Sequence, residues 1–285
     1  MARRIGAYVL PGDTVWLERT LRAYYPLLDA LVVPVPADGR GWTGAPIPVD
    51  DAIAAIERVD ARGLLRRVTG SWTRPDEPMR ADTAQRNAAL AALVGEVDWV
   101  IQLDNDELLP DAAALVAAID EAERRGLDAV EWPMRVLFRR TRRHIFEVVG
   151  VHGSTRYDYP GAIAVRPEVR VVDARRVGGA FLRPVVSGDR ASLQLTHPLA
   201  PGEERWEALE PSQAVLHNSW ARSPREIRQK TRSWGHASGW RGRLYYFAVW
   251  LPIPVTWRWA RDIHPFARGL WPRVERRVPT REETG

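Results

Sequence analysis

The run Trp99-Val100-Ile101-Gln102-Leu103 ends abruptly in Asp104-Asn105-Asp106-Glu107, which places three acids within four residues. Leu108-Leu109-Pro110 then leads into a helical pattern. An apolar, β-favouring run of that length predicts a strand buried on both faces, as in the interior of a parallel sheet. Carboxylates at the carboxyl end of such a strand lie where open α/β sheets bind their ligands. Acids packed so closely repel one another unless a cation or hydrogen-bond donors compensate. The stretch therefore predicts an α/β sheet in which Asp104 and Asp106 hold a divalent metal carrying a substrate's phosphates. The competing reading makes the acids caps for the helix that Pro110 opens, for which one acid suffices.

The flanking sequence fits that sheet. Residues 5–10 predict a first strand turned by Pro11-Gly12, and Asp13 caps a helix to residue 24 with Val15, Trp16, Leu21 and Tyr24 as its apolar stripe. Residues 31–35 predict a second strand whose Pro34 argues for an edge or irregular position. The Gly/Pro-rich residues 36–48 read as a long loop. Asp50 or Asp51 caps a helix that Gly63 ends, and residues 64–68 predict a third strand. Asp82-Thr83-Ala84-Gln85 has capping-box form and predicts a helix from there to about residue 94. The run from Trp99 supplies the fourth strand, and residues 110–125 a helix stopped by Gly126. Strand and helix alternate four times, which predicts a mostly parallel, doubly wound sheet with helices on both faces over residues 1–126.

Beyond Gly126 the rhythm changes to a mixed α+β half. Residues 128–138 are β-rich, and short strands are expected near 145–151, 162–172, 191–196 and 214–216. A helix is expected over 224–234, residues 240–272 are dense in Trp, Tyr and Pro, and residues 273–285 read as a loose charged tail. No repeat and no clean linker separates 1–126 from 127–272, so one continuous domain with two functional halves is expected.

Composition narrows the chemistry. The 285 residues are 45% hydrophobic, enough for a sizeable core. Zero cysteines exclude disulfides, thiolate metal sites and a Cys nucleophile. Net charge is +5 with Lys230 as the only lysine, so the cationic groups are forked guanidiniums suited to phosphate or carboxylate. No basic block, zinc finger or RNA-binding signature accompanies that charge, and nucleic acid is not expected as a partner. Residues 1–4 lead straight into a strand and no apolar run approaches the roughly 20 residues of a spanning helix. A cytoplasmic location is the expectation.

The order strand–helix–strand–helix–strand–helix–strand followed by Asp-x-Asp resembles a GT-A (Rossmann-like) glycosyltransferase, specifically the bacterial family 2 enzymes. Ala84-Gln85-Arg86-Asn87 before a helix of small residues, then Asp98-Trp99-Val100-Ile101-Gln102-Leu103-Asp104-Asn105-Asp106-Glu107, carry the resemblance over about residues 5–140. His217-Asn218-Ser219-Trp220 with Lys230 beyond it resembles a His-x-x-Trp/Tyr…Lys pattern of some members. Pro11-Gly12-Asp13 departs from the Asn/Glu-rich turn that many members carry after the first strand, which leaves the nucleotide base open.

The resemblance implies a metal-dependent transfer of a sugar from a nucleotide-diphosphate sugar to a carbohydrate or lipid-linked acceptor, with inversion. It makes 1–126 the nucleotide-sugar-binding half and 127–272 the acceptor-binding half. Asp106 would coordinate Mn²⁺ or Mg²⁺ on the diphosphate, Asp104 would touch ribose or the metal, and His217 would be a third ligand; a structural histidine is its competing role. Asp38 would accept from base or ribose, or simply be solvated. Arg86 would lie against the nucleotide or pair with an acid of the motif, and Asn87 would line the same site or be an ordinary helix residue. Trp42 reads as a stacking residue or, better, a packed loop anchor. Arg222, Lys230 and Arg232 would reach phosphates unless they form a solvated basic face. Asn218 and Trp220 would shape the wall around His217; His197 and His236 are weaker candidates. The base that inversion requires is sought in the second half at Asp189, then Asp158 and Glu131, the last also readable as a buried hydrogen-bonded acid.

The aromatic segment 245–251 with 257–259 has three readings: core packing, an acceptor wall, or peripheral contact with the inner face of a membrane. Two other function classes compete with transfer of a sugar. A nucleotidyltransferase of similar topology would want a Gly-rich basic loop after the first strand, which Pro11-Gly12-Asp13 does not supply. A non-catalytic sugar-binding module would not need the intact acidic cluster.

Overall fold

The structure, a computed structural model, describes residues 3–233, 240–265, 267–280 and 283, with side chains given outside 229–233. In chain order the first elements are β1 (Ile5–Tyr8), α1 (Leu17–Tyr24), β2 (Ala30–Pro36), α2 (Val49–Glu57), β3 (Leu65–Gly70), α3 (Pro78–Ala91), β4 (Trp99–Ile101), β5 (Glu107–Leu108) and α4 (Ala112–Arg125). There follow β6 (Ala129–Glu131), β7 (Met134–Arg140), β8 (Ile145–Val149), β9 (Ala162–Val165), β10 (Val171–Asp173), β11 (Arg176–Val177), β12 (Phe181–Val186), α5 (Leu193–Thr196) and β13 (Glu203–Leu209). The last are β14 (Val215–His217), α6 (Pro224–Ser233), α7 (Trp240–Tyr245), a π-helical turn Tyr246–Trp250, α8 (Ile253–Thr256) and β15 (Arg273–Arg277).

The chain divides into two interleaved compact units: residues 1–133, 159–187 and 199–215, and residues 134–158, 188–198 and 216–285. The division therefore does not fall at residue 126.

The first unit is α/β and is built on an eight-stranded sheet in the order β13-β12-β6-β9-β4-β1-β2-β3. β1, β2, β3 and β4 run parallel, as the sequence predicts. β6, β12 and β13 are also mutually parallel, and β9 is antiparallel to both β4 and β6, so seven of the eight strands share one direction. One sheet face carries Tyr8, Val32, Val100, Ala129 and Val165 in register, packed with Ala89 and Leu90 of α3 and with Leu93 just beyond it. Gly6 makes that packing possible, since a Cβ there would lie 3.2 Å from both Val97 methyls. The alternate residues Ala7, Leu31, Val33 and Ile101 point to the other face by the pleat and are also buried, which is why β1, β2 and β4 read as continuous apolar runs.

Two local expectations change. β2 is an inner strand, flanked by β1 and β3, yet tolerates Pro34 because β1 pairs only with Ala30 to Val32; the missing N–H falls beyond that ladder. α3 starts at Pro78, a turn before the capping box read at Asp82, so Asp82 lies inside the helix and is buried.

The second unit contains the antiparallel strands β15, β8 and β7 in that order. Its core joins Val136, Phe138, Phe146 and Val148 to Trp220, Ile227, Tyr246, Trp250, Ile253 and Trp271. Trp220 stacks on Phe138 with ring centroids 6.2 Å apart, so it belongs to the core. Arg273–Arg277, expected in a loose tail, is a strand paired residue by residue with β8. Residues 191–196, expected as a strand, hold the short helix α5 (Leu193–Thr196).

Candidate functional site

The strand order fixes where a ligand can meet the first unit. From β1 the chain steps outward to β2 and β3, then crosses back to set β4 on the other side of β1. β1 and β4 thus flank a topological switch point, and the crevice beyond their carboxyl ends is where open α/β sheets take ligands. The acidic turn 104–107 leaves β4 there and is tied to the end of β1. Asn105 Nδ2 donates to the carbonyls of Leu10 at 2.8 Å and Asp13 at 2.6 Å, and the Asn105 carbonyl accepts from Thr20 Oγ1 at 2.9 Å.

Gln102 holds the strand end below the turn. Its Nε2 donates to the Ala162 carbonyl at 2.8 Å and its Oε1 accepts from the Tyr8 hydroxyl at 2.8 Å. Burial pushes that phenol up to about 12. The acids do not cap α4, because Asp111 does so through Ala114 N at 3.0 Å. The helix-capping reading of Asp104 and Asp106 is thereby displaced.

Two buried arginines organise the carboxylates. Arg86 Nε donates to Asp82 Oδ1 at 2.6 Å, one turn earlier on α3, and its Nη2 to Asp104 Oδ1 at 2.9 Å. Arg175 grips Glu107 with both Nη atoms, Nη2 to Oε1 at 2.6 Å, and its Nη2 lies 3.9 Å from Asp104 Oδ2. Burial alone would raise the Asp104 carboxyl, but Arg86 and Arg175 outweigh it and hold the group below the ordinary aspartate value. Asp82, more deeply enclosed, is pushed up by burial against the pull of Arg86. Asp104 and Asp106 are close enough to repel. Asp82, Asp104, Asp106 and Glu107 thus gather with Arg86 and Arg175 at the end of β4.

Arg86 therefore pairs with acids of the motif, one of the two roles expected for it. Asn87 is a clamp: its amide donates to the Val171 carbonyl and accepts from Val171 N, at 2.9 and 3.1 Å. Thr83 Oγ1 accepts from Ala174 N at 2.9 Å, so α3 holds the β10–β11 hairpin that carries Arg175. Ala174 takes φ 47°, in the left-handed region, at that turn. Gly161, at φ +147°, lets the hairpin close in, for a Cβ there would lie 2.9 Å from the Arg175 carbonyl carbon. Sequence reasoning missed Arg175, and took Asp82 for a cap. The i,i+4 spacing of Asp82 and Arg86 on an otherwise small-residue helix was the available signal for the latter.

The remaining candidates divide by unit. In the first, Asp38 is exposed and accepts from Arg40 N at 3.0 Å and Thr73 Oγ1 at 2.9 Å, bonds that hold its carboxyl low. Trp42 Nε1 donates to Gln85 Oε1 at 2.6 Å, which makes it an anchor of the 37–47 loop. Glu131 is buried and paired with Arg183 at 2.7 Å; Arg183 also meets Glu203 at 2.6 Å. Burial raises the Glu131 carboxyl and Arg183 opposes that. It is the hydrogen-bonded buried acid that was the alternative to a base.

In the second unit, both Asp189 oxygens are engaged: Oδ1 by Ala191 N at 2.9 Å and Ser192 N at 3.2 Å, Oδ2 by Ser192 Oγ. The carboxylate locks the turn into α5. Asp158 Oδ2 accepts from Trp271 Nε1 at 2.9 Å, and Oδ1 accepts no hydrogen bond from the described residues. Burial raises the Asp158 carboxyl, with Trp271, Arg156 and His217 pulling the other way. His217 is thus an electrostatic neighbour of Asp158. Asn218 Nδ2 donates to the Leu216 carbonyl at 3.2 Å, and the buried Arg222 bonds the Ser219 carbonyl at 3.2 Å. The side chains of Lys230 and Arg232, and all of His236, lie outside the described residues.

Among the described residues no three His, Asp or Glu side chains gather to hold a metal. The donor set at the β4 end still fits Mg²⁺ or Mn²⁺. These are hard ions matched to carboxylate oxygen, and Mg²⁺ is commonly held by one or two carboxylates, with substrate phosphates and water completing its shell. Asp104 accepts from Arg86, and Asp106 is the buried acid two residues on.

No protein-family model matches the chain, and no curated protein is similar to it in sequence. Among solved structures it is similar to 4-diphosphocytidyl-2C-methyl-D-erythritol synthase from Anaerococcus prevotii, at 15% identity and a TM-score of 0.35 over 58% of this chain and 71% of that one. It is similar to residues 1–349 of S. aureus TarS at 15% identity and a TM-score of 0.35, over 57% and 47% of the two chains. Mannose-6-phosphate isomerase from Helicobacter pylori gives 15% and 0.32 over 56% and 60%. These are partial likenesses of chain path, and the functional reading rests on the acidic turn.

Proposed function

We propose that this chain is a metal-dependent glycosyltransferase that moves a sugar from a nucleotide-diphosphate sugar to a carbohydrate or lipid-linked acceptor, with inversion. The observation that carries the reading is the turn 104–107: a cluster of carboxylates organised by two buried arginines at the switch point of a mostly parallel sheet. Asp106 would hold Mn²⁺ or Mg²⁺, and such an ion would supply positive charge to offset that of a diphosphate leaving group. Arg86 and Arg175 hold the Asp104 carboxyl below its ordinary value and fix its place in the turn.

Inversion requires a group to take the acceptor's proton. Of Asp189, Asp158 and Glu131, Asp158 is the one with a raised carboxyl that no arginine pairs with among the described residues, and the role is assigned to it. Asp189 and Glu131 serve the fold.

The test is slow donor hydrolysis across a panel of nucleotide-sugars with Mn²⁺. One donor should be hydrolysed, with metal required. Asp106→Ala should lower the rate about 10²-fold or more. Asp158→Asn should keep donor binding and lower transfer about 10²-fold or more once an acceptor is found. Pyrophosphate release from a sugar phosphate and a nucleoside triphosphate, with no donor hydrolysed, would sink the reading in favour of nucleotidyl transfer.

A further inference from the structure

Residues 240–261 present an apolar stripe that the fold leaves open. Trp240, Leu244, Phe247, Leu251, Val255 and Trp259 recur every three or four residues through α7, the π-helical turn and α8, and each is between 38% and 76% exposed. That spacing puts one large side chain per turn on a common side. The opposite side, Tyr246, Trp250 and Ile253, is buried in the core of the second unit, so core packing accounts for one face of the segment only. These six make up half of the twelve large apolar side chains exposed among the described residues, which sets the stripe apart from scattered surface hydrophobics.

The charge around the stripe selects its occupant. Arg241, Arg243, Arg258 and Arg261 are all exposed, and no Asp or Glu occurs between 240 and 261. A second copy pairing stripe to stripe would bring arginine against arginine, a repulsive arrangement in an isologous contact. An apolar face rimmed by arginine, with tryptophans near both ends, instead matches a segment lying in the interface of an anionic bilayer. No helix among the described residues is long and apolar enough to cross a membrane.

We propose that this face docks on an anionic phospholipid bilayer, its apolar side chains entering the headgroup boundary and Arg241, Arg243, Arg258 and Arg261 pairing with lipid phosphates. The proposal does not rest on the transfer reading, and its test contains no sugar donor. The full chain is sedimented with vesicles of phosphatidylglycerol and phosphatidylcholine, or of phosphatidylcholine alone. Binding to the mixed vesicles should exceed binding to pure phosphatidylcholine by about tenfold or more and weaken with salt, as screening of surface charge requires. Phe247→Ser/Leu251→Ser/Trp259→Ser should lose about tenfold or more of the binding. Arg241→Gln/Arg243→Gln/Arg258→Gln should lose the preference for phosphatidylglycerol. All substituted positions are exposed, and circular dichroism confirms that each variant is folded. Wild-type protein that stays in the supernatant with phosphatidylglycerol vesicles overturns the proposal, as does unchanged binding by the serine variant. A wild-type dimer that the serine variant converts to monomer, without vesicle binding, would assign the face to a second copy.

Discussion

Arg86 stands between two carboxylates, and its removal leaves Asp82 without its partner and Asp104 with only Arg175, 3.9 Å away. The row Asp82–Arg86–Asp104–Arg175–Glu107 alternates in sign through buried or part-buried groups. Arg86→Met would leave Asp82 and Asp104 facing each other without their shared partner, a loss of about 3–5 kcal/mol for breaking a buried pair. Urea unfolding at neutral pH measures it, and a change below about 1 kcal/mol, the range of surface pairs, would contradict the buried-row account. The acids respond oppositely to pH. Asp104 is held low, so its contribution is present above the free aspartate value and is lost as pH falls through the folded one. Asp82, raised by burial, runs the other way. Asp104 and Asp106 were legible from sequence because strand, acids and helix lie within one short stretch. Arg175 was not, since only Asn87 and Thr83, far along the chain, decide where its hairpin lies.

At the scale of elements, the turn from α2 to β3 depends on one carboxylate. Asp60 accepts from Tyr25 Oη at 2.6 Å, and from Leu64 N and Leu65 N at 2.8 Å each. Burial opposes these bonds, yet together they hold its carboxyl below 3.8, so the stability it lends is present above that value and fades as pH falls through the folded one. Asp60→Ala should cost about 2 kcal/mol in thermal or urea unfolding near neutral pH. The difference from wild type should shrink in acid; an equal loss at all pH values would show that the carboxylate's charge is irrelevant.

Elements with unbroken patterns, such as β4 with α4, were readable because propensity, burial and the Gly126 stop at φ 70° agree. β12 and β13 were not. They carry Arg183, Pro184, Glu203, Glu204 and Arg205, and look polar because their charges are neutralised sideways, Glu131 to Arg183 to Glu203 to Arg205, across neighbouring strands. β15 hid for a related reason: of Arg-Val-Glu-Arg-Arg only Val274 is buried, and Arg277 is paired with Glu147 of β8.

At the scale of the whole molecule, the chain leaves its first unit after Pro133, returns at Tyr159, leaves again after Ser187 and returns at Leu199. Sequence showed no linker because there is none; the units share the chain segment by segment, and which segment returns is settled by long-range strand pairing such as β9 between β4 and β6. The acidic turn nevertheless leaves the end of the fourth strand, where the sequence put it, and the strand order makes that place a switch point. The central claim is that Asp106 binds a nucleoside diphosphate through a divalent metal. Isothermal titration of nucleoside diphosphates into the protein with Mn²⁺, and again with chelator, tests it most directly. Affinity should rise about tenfold or more with Mn²⁺, a gain of about 1.4 kcal/mol or more, and Asp106→Asn should abolish the gain while the protein stays folded. Equal affinity with and without the metal, or an Asp106→Asn protein that keeps the full gain, would contradict the account.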